Sequence, residues 1–335
     1  MNAPAAAAST DALPLTERIL SRLPGPRLPW MVAWALVPWL NAAVVLAFRR
    51  SGVIRPAPDP VVELLNRAAF SLAVLLSLWG AARIAEGIGS LRPALSRVIE
   101  PDPGGGDRLF EGMGSTVGPL ALTAVAGAVL PLEEALGGDP VAAAIEAVTW
   151  AVLGIPVWTA FWVYVKLQAG LIRLGRRTLT LEPYPGDRSL GLRPVGRLAF
   201  TGFWMLFGAG GPLVLTAYTD LPGVVAGTAV LVAGVVMFFL SLRRLHEQMV
   251  AAKERELVTA RHLYRQAYQP LRDRPTLEAL QRQAGVLSAA EALEKRAERI
   301  QEWPFDEATF ARVVTIASSV SAIIIGRLIL DPVGL

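Results

Sequence analysis

Apolar residues along this chain gather into long runs separated by shorter polar stretches. Seven runs, at 28–48, 61–85, 117–136, 141–173, 198–219, 222–242 and 311–330, approach the roughly 20 residues that a helix needs to cross about 30 Å of hydrocarbon. The expected fold class is therefore all-α, a polytopic transmembrane helical bundle of about seven spans with a cytoplasmic helical hairpin between the sixth and seventh. Four regions follow: 1–27, a disordered or interfacial N-terminal tail; 28–242, a six-span bundle; 243–310, the hairpin; and 311–335, the seventh helix with a short tail.

The flanks refine this picture. Trp30 opens the first run and Arg49 and Arg50 close it, as aromatic and basic residues do at membrane interfaces. In the second, Glu63 and Arg67 stand four apart and can pair on one helix face. The third lies between Pro119 and Pro131 and ends in Glu133 and Glu134; a re-entrant segment is its alternative. The fifth and sixth are joined only around Asp220 and Leu221, which makes them an antiparallel pair.

Beyond the sixth run no glycine or proline intervenes before Pro270, so one continuous helix leaves the membrane. Val250, Leu257, Tyr264 and Leu271 recur every seven residues, with Ala260 and Ala267 between them, a narrow seam of coiled-coil type. That seam can pack on the chain's own 277–301 segment or between protomers of a homo-oligomer. Ser288 with Glu291 reads as a capping box that starts a second helix. Trp303, Pro304 and Phe305 suit the headgroup interface and a sharp re-entry.

Composition changes the solvent. Hydrophobic residues make up 53% of the chain and the mean hydropathy is +0.45, above an average soluble domain. Cysteine is absent, which excludes disulfides, thiolate nucleophiles and cysteine-bound metal. The net charge of +4 could suit nucleic acid, but the basic residues lie beside the apolar runs, where they orient helices and meet anionic lipid; no nucleic-acid partner is expected. The segment 173–197 is rich in arginine, whereas 134–140 and 220–222 hold no lysine or arginine. Basic loops stay in the cytoplasm, so the chain is expected in the inner (plasma) membrane, multi-pass, with its N-terminus cytoplasmic and its C-terminus outside. Loop 49–60, with Arg49, Arg50 and Arg55, runs against that scheme.

Candidate chemistry begins where polarity or a helix breaker enters an apolar run. Gly154 and Pro156 in the fourth run, and Gly208, Gly210, Gly211 and Pro212 in the fifth, are expected to break their helices in mid-membrane. Freed backbone groups there could coordinate an ion or substrate; a plain kink with close packing is the alternative. Glu133, Glu134 and Glu146, with Arg67 at a similar depth, could gather cations at a mouth or carry protons, against a structural Glu146–Arg67 ion pair. Arg188, Arg193 and Arg197 are candidates for an anionic ligand or a lipid headgroup. The glycine-rich loop 101–118 lacks the lysine of a phosphate-binding loop, serine nucleophile elbows are absent, and the two histidines stand sixteen apart without ligand spacing. No cofactor and no metal site are expected, and enzymatic activity is not favoured. Two functions remain: a homo-oligomeric ion channel or transporter with the broken helices lining its path, or a non-catalytic sensor or scaffold binding a cytoplasmic partner through 243–310.

Overall fold

A backbone surrounded by lipid must satisfy its own hydrogen bonds, and a helix does so within one segment. The computed structural model follows that rule. It describes residues 13–52, 60–95, 98–99, 109–129, 131–136, 140–181, 187–216, 221–273, 276–305 and 307–330, which contain helices and no strand beyond one isolated bridge between Ile99 and Leu179. The helices are α1 (Leu15–Arg22), α2 (Arg27–Ala35), α3 (Val37–Arg50), α4 (Pro60–Leu95), α5 (Val117–Val129), α6 (Leu132–Leu136), α7 (Pro140–Gly175), α8 (Arg193–Thr216), α9 (Leu221–Asp273), α10 (Leu277–Glu298) and α11 (Glu307–Leu330). Of the disordered or interfacial tail expected over 1–27, residues 1–12 lie outside the described residues, and Leu15–Arg22 forms α1, which packs on α4 and α7.

Among the described residues four helical stretches are long and apolar enough to cross a membrane: Arg27–Arg50, Val61–Leu91, Pro140–Gly175 and Gly227–Asp273. The protein is thus all-helical with four candidate spans. The first is two helices, because Pro38 has no N–H to offer Trp34 and the chain tightens at Leu36, whose own N–H bonds Val32 at 3.0 Å and Ala33 at 3.2 Å. The third apolar run differs from expectation. Its helix α5 has 13 residues, about 20 Å at 1.5 Å per residue, and α6 follows as a separate turn beyond Pro131.

Glycines set the helix approaches. A side chain at Gly87 would meet Leu198 (2.7 Å), and one at Gly208 would meet Leu76 (3.0 Å), so α4 and α8 lie antiparallel in close contact. In the same way Gly118 faces Trp162, Gly154 faces Thr123 and Gly127 faces the Ala147 carbonyl, which lays α5 antiparallel along α7. Between α7 and α9 the buried bonds are polar. The Tyr164 hydroxyl donates to the Gly234 carbonyl (2.7 Å), and the Ser241 hydroxyl donates to Gln168 Oε1 (2.5 Å).

Beyond the bundle α9 continues through Pro270 and α10 returns antiparallel along it. Lys253–Glu302 and Arg261–Glu294, both 3.0 Å, fix the register. The buried stripe is alanine: Ala252, Ala260 and Ala267 on α9, Ala290 and Ala297 on α10. Val250, Leu257, Tyr264 and Leu271 flank it half-buried. Small side chains let the two axes approach, so the seam found in the sequence is covered within the chain and its line of contact is the alanines. The capping box at Ser288 does not start a helix. Thr276 does, its hydroxyl accepting from the Ala279 N–H at 3.2 Å, and Ser288 sits inside α10.

Candidate functional site

Where α3 ends and α4 begins, three charges from two helices meet. Arg49 Nη1 lies 2.5 Å from Glu63 Oε2, and Arg67 Nη2 lies 3.4 Å from Glu63 Oε1. The i, i+4 pair expected of Glu63 and Arg67 therefore forms, but the shorter bond is to Arg49. All three side chains are less than a quarter exposed, so one carboxylate sits between two partly buried guanidiniums. α7 closes the other side. Asn41 Nδ2 donates to the Thr149 hydroxyl, which donates in turn to the Ile145 carbonyl at 2.8 Å. Glu146, one turn before Thr149, is half-buried at the same end.

The cluster is not self-sufficient. Asn41 Oδ1, Asn66 Oδ1 and Arg67 Nε are shielded from solvent and lack a hydrogen-bond partner. A polar atom left so costs free energy in an apolar medium. At this cluster two guanidiniums share a single carboxylate, and Arg67 Nε is left to donate to a small polar or anionic species.

The expected mid-membrane breaks are not there. α7 runs through Gly154 and Pro156, and α8 runs through Gly208, Gly210, Gly211 and Pro212, as uninterrupted helices. For Pro156 the physical reason is visible. Its missing N–H leaves the Val152 carbonyl without a helical donor, and the Trp34 indole N–H supplies one at 3.1 Å. Gly154, Gly208 and Gly210 lie against Thr123, Leu76 and Leu231 on neighbouring helices, and Pro212, like Pro156, has no N–H for the carbonyl four residues back, that of Gly208. Glu133 and Glu134 fall in α6, and the side-chain contacts expected of them and of Pro212 lie outside the described residues.

Arg188, Arg193 and Arg197 are exposed at the opposite end of the bundle. Asp187 shapes their loop by accepting from the Ser189 N–H (2.9 Å), the Ser189 hydroxyl (2.6 Å) and the Gly191 N–H (2.8 Å). Burial pushes the Asp187 carboxyl up, but these bonds and the nearby Arg193 outweigh it and hold it below its ordinary range. Leu190 and Gly191 both take positive φ, 54° and 85°, a conformation the Asp187 bonds stabilise.

Sequence reasoning missed a second charged site beside that end. Glu17 on α1 has a side chain only 3% exposed, with Oε2 2.8 Å from Arg27 Nη1 and Oε1 unpartnered. Arg18 reaches across to the Gly114 carbonyl (2.5 Å) and the Thr116 hydroxyl (2.9 Å), while Trp162 Nε1 and Arg173 Nη1 on α7 bond the carbonyls of Gly112 (2.9 Å) and Leu109 (3.2 Å). Lys166 lies over the Trp162 ring at 4.7 Å. The only early signal was three consecutive polar residues, Thr16, Glu17 and Arg18, within the apolar stretch 14–20. Among the described residues no three His, Cys, Asp or Glu side chains are grouped to hold a metal ion. Compared with protein-family models, curated proteins and solved structures, the chain matches none.

Proposed function

We propose that the protein is a multi-pass membrane scaffold or sensor, in which the bundle holds α9 and α9 presents the α9–α10 hairpin to a cytoplasmic partner. The observation that carries this reading is the single unbroken helix of 53 residues. At 1.5 Å per residue it extends about 80 Å, more than twice what a bilayer core requires, so movement of the bundle has a rigid path outward. Leu277, Leu280, Val286 and Leu293 of α10 are exposed along the edges of its buried alanine stripe, apolar surface that a partner protein or a second copy would cover.

The packing order supports a seven-pass arrangement with the arginine-rich end of α7 and α8 in the cytoplasm. In it α2–α3, α4, α5 with α6, α7, α8, α9 and α11 alternate in direction, which leaves the N-terminus inside and the C-terminus outside. The antiparallel contacts of α4 with α8 and α5 with α7 fit it. Loop 49–60, with Arg49, Arg50 and Arg55, still runs against the charge rule, although Arg49 is paired with Glu63.

The test is photo-crosslinking in cells of the source organism from the full chain carrying a photoreactive residue at Leu280 or Leu293, with buried Ala290 as the control. A discrete protein adduct from the exposed positions and none from Ala290 is expected. An adduct of two chains identifies a second copy as the partner. No adduct from either exposed position overturns the reading.

A channel or transporter is the second reading, and the Arg49–Glu63–Arg67 cluster with Glu146 favours it, because charge inside a membrane is retained where it has work to do. On this reading, proteoliposomes should pass an ion that Arg67→Ala variants do not. Absence of flux for every ion tried, with folded protein, removes it.

A further inference from the structure

Among the described residues, guanidinium groups at one level of the molecule outnumber the carboxylates paired with them. Four contacts define the level. Gly175 at the end of α7 stands against the Arg244 Cβ and the Leu245 N–H of α9, 2.8 and 3.4 Å from where its own Cβ would be. Gln248 on α9 caps α7 by donating to the Gly175 (2.8 Å) and Arg177 (2.9 Å) carbonyls. Gly196 in the first turn of α8 meets the Pro304 carbonyl, and the Gln301 N–H donates to the Arg188 carbonyl at 2.8 Å. The ends of α7, α8 and the span of α9 are thus level with the segment 301–305.

Six arginines at this level are exposed: Arg176, Arg188, Arg193, Arg197, Arg243 and Arg244. Opposite them stand Asp187, already bonded to Ser189 and Gly191, and Glu247, shared by Arg243 (2.9 Å) and Arg244 (3.4 Å). Glu302 is taken by Lys253. An aromatic group marks the same depth: Trp303 stacks on His246 at 4.3 Å and meets Phe239, Phe305 and Phe310, as indoles do at the boundary between headgroups and acyl chains.

We propose that this collar is a docking surface for anionic phospholipid headgroups. A guanidinium donates two parallel N–H bonds to a phosphate, and basic residues beside a span lie within a Debye length of a negative leaflet surface. The collar surrounds α9 at the point where that helix leaves the bundle, so bound lipid would bear on the base of the projecting hairpin. The inference needs the chain to be embedded in a bilayer and does not depend on a partner for α10.

The full chain, which has no native cysteine, is labelled with a fluorophore through Thr178→Cys beside the collar and placed in nanodiscs of phosphatidylcholine with brominated phosphatidylglycerol or brominated phosphatidylcholine as quencher. Brominated phosphatidylglycerol is expected to quench at about tenfold lower mole fraction. The triple variant Arg176→Gln, Arg193→Gln, Arg197→Gln should bring the two lipids within about twofold, while the corresponding Arg→Lys triple keeps most of the preference, which separates lost charge from lost folding. Arg261→Gln, on the hairpin, should leave the preference intact. Equal quenching by both lipids in the unsubstituted collar overturns the proposal, as does a preference that survives the glutamine triple. Displacement by inorganic phosphate at millimolar concentration would transfer the collar to a soluble anion and overturn it as a lipid surface.

Discussion

Substituting alanine for Gly196 is expected to lower stability by roughly 1–3 kcal/mol and to dislodge the segment 301–305 from α8. The added Cβ would fall on the Pro304 carbonyl, and a backbone oxygen cannot rotate aside as a side chain can. Nor can the segment slide. The Gln301 N–H is bonded to Arg188 (2.8 Å), the Glu302 carbonyl faces His246 Nδ1 at 2.8 Å, and Phe305 is buried against Phe238 with ring centroids 6.0 Å apart. Each of these would stretch to admit one methyl group. Gly89 provides the comparison, since a Cβ there meets nothing within 4 Å on an exposed helical face; Gly89→Ala should be neutral or stabilise by up to about 1 kcal/mol. Thermal unfolding of the detergent-solubilised protein checks both. An alanine at 196 that melts at or above the temperature of the unsubstituted protein would show that the segment does not sit on α8.

What sequence could see and what it could not divide along a physical line. Run length and hydropathy depend on the chain alone, so the helical fold and the membrane-compatible helices were legible, and so was the Glu63–Arg67 spacing, which is local to one helix. The heptad of Val250, Leu257, Tyr264 and Leu271 lay beside the contact line of α9. Pattern reading favours large apolar residues, whereas an antiparallel pair with close axes uses Ala260 and Ala267. Helix breaks failed for a reason no local rule contains. Pro156 frees the Val152 carbonyl, but the donor that satisfies it comes from Trp34, 118 residues away in the chain. Glycine likewise reports a missing Cβ without saying what stands opposite; at Gly208 and Gly210 it is a leucine from a neighbouring helix. The candidate site was half visible. Arg67 and Glu146 were named from their depth in apolar runs, but the stronger partner of Glu63 turned out to be Arg49 on the preceding helix.

Rising pH is expected to loosen α1 from the bundle, through Glu17. Burial raises its carboxyl above the ordinary glutamate value of 4.5; Arg27 acts against this and Glu86 adds to it. The charged groups around it are Arg27 at the start of α2, Glu86 on α4 with Arg83 beside it, Arg18 on its own helix, and Lys166 of α7 near Gly112. Because the docked helix holds the proton more tightly than a free one, docking takes up a proton, and its stability falls as pH rises. The contribution is fully present below the ordinary value of 4.5 and is lost as pH climbs through the raised value of the docked state. Glu17→Gln keeps the neutral form at every pH and should abolish the slope, whereas Arg27→Ala removes the cation paired with it and should steepen it. In the cysteine-free chain a thiol at the buried position 16 (Thr16→Cys) reports undocking, and its labelling rate is divided by that of the exposed Arg22→Cys to cancel the thiol's own pH dependence. The ratio should rise with pH unless Glu17 is glutamine. A ratio that instead rises as pH falls would mean that the ionised Glu17–Arg27 pair, at 2.8 Å, outweighs burial and holds α1 in place.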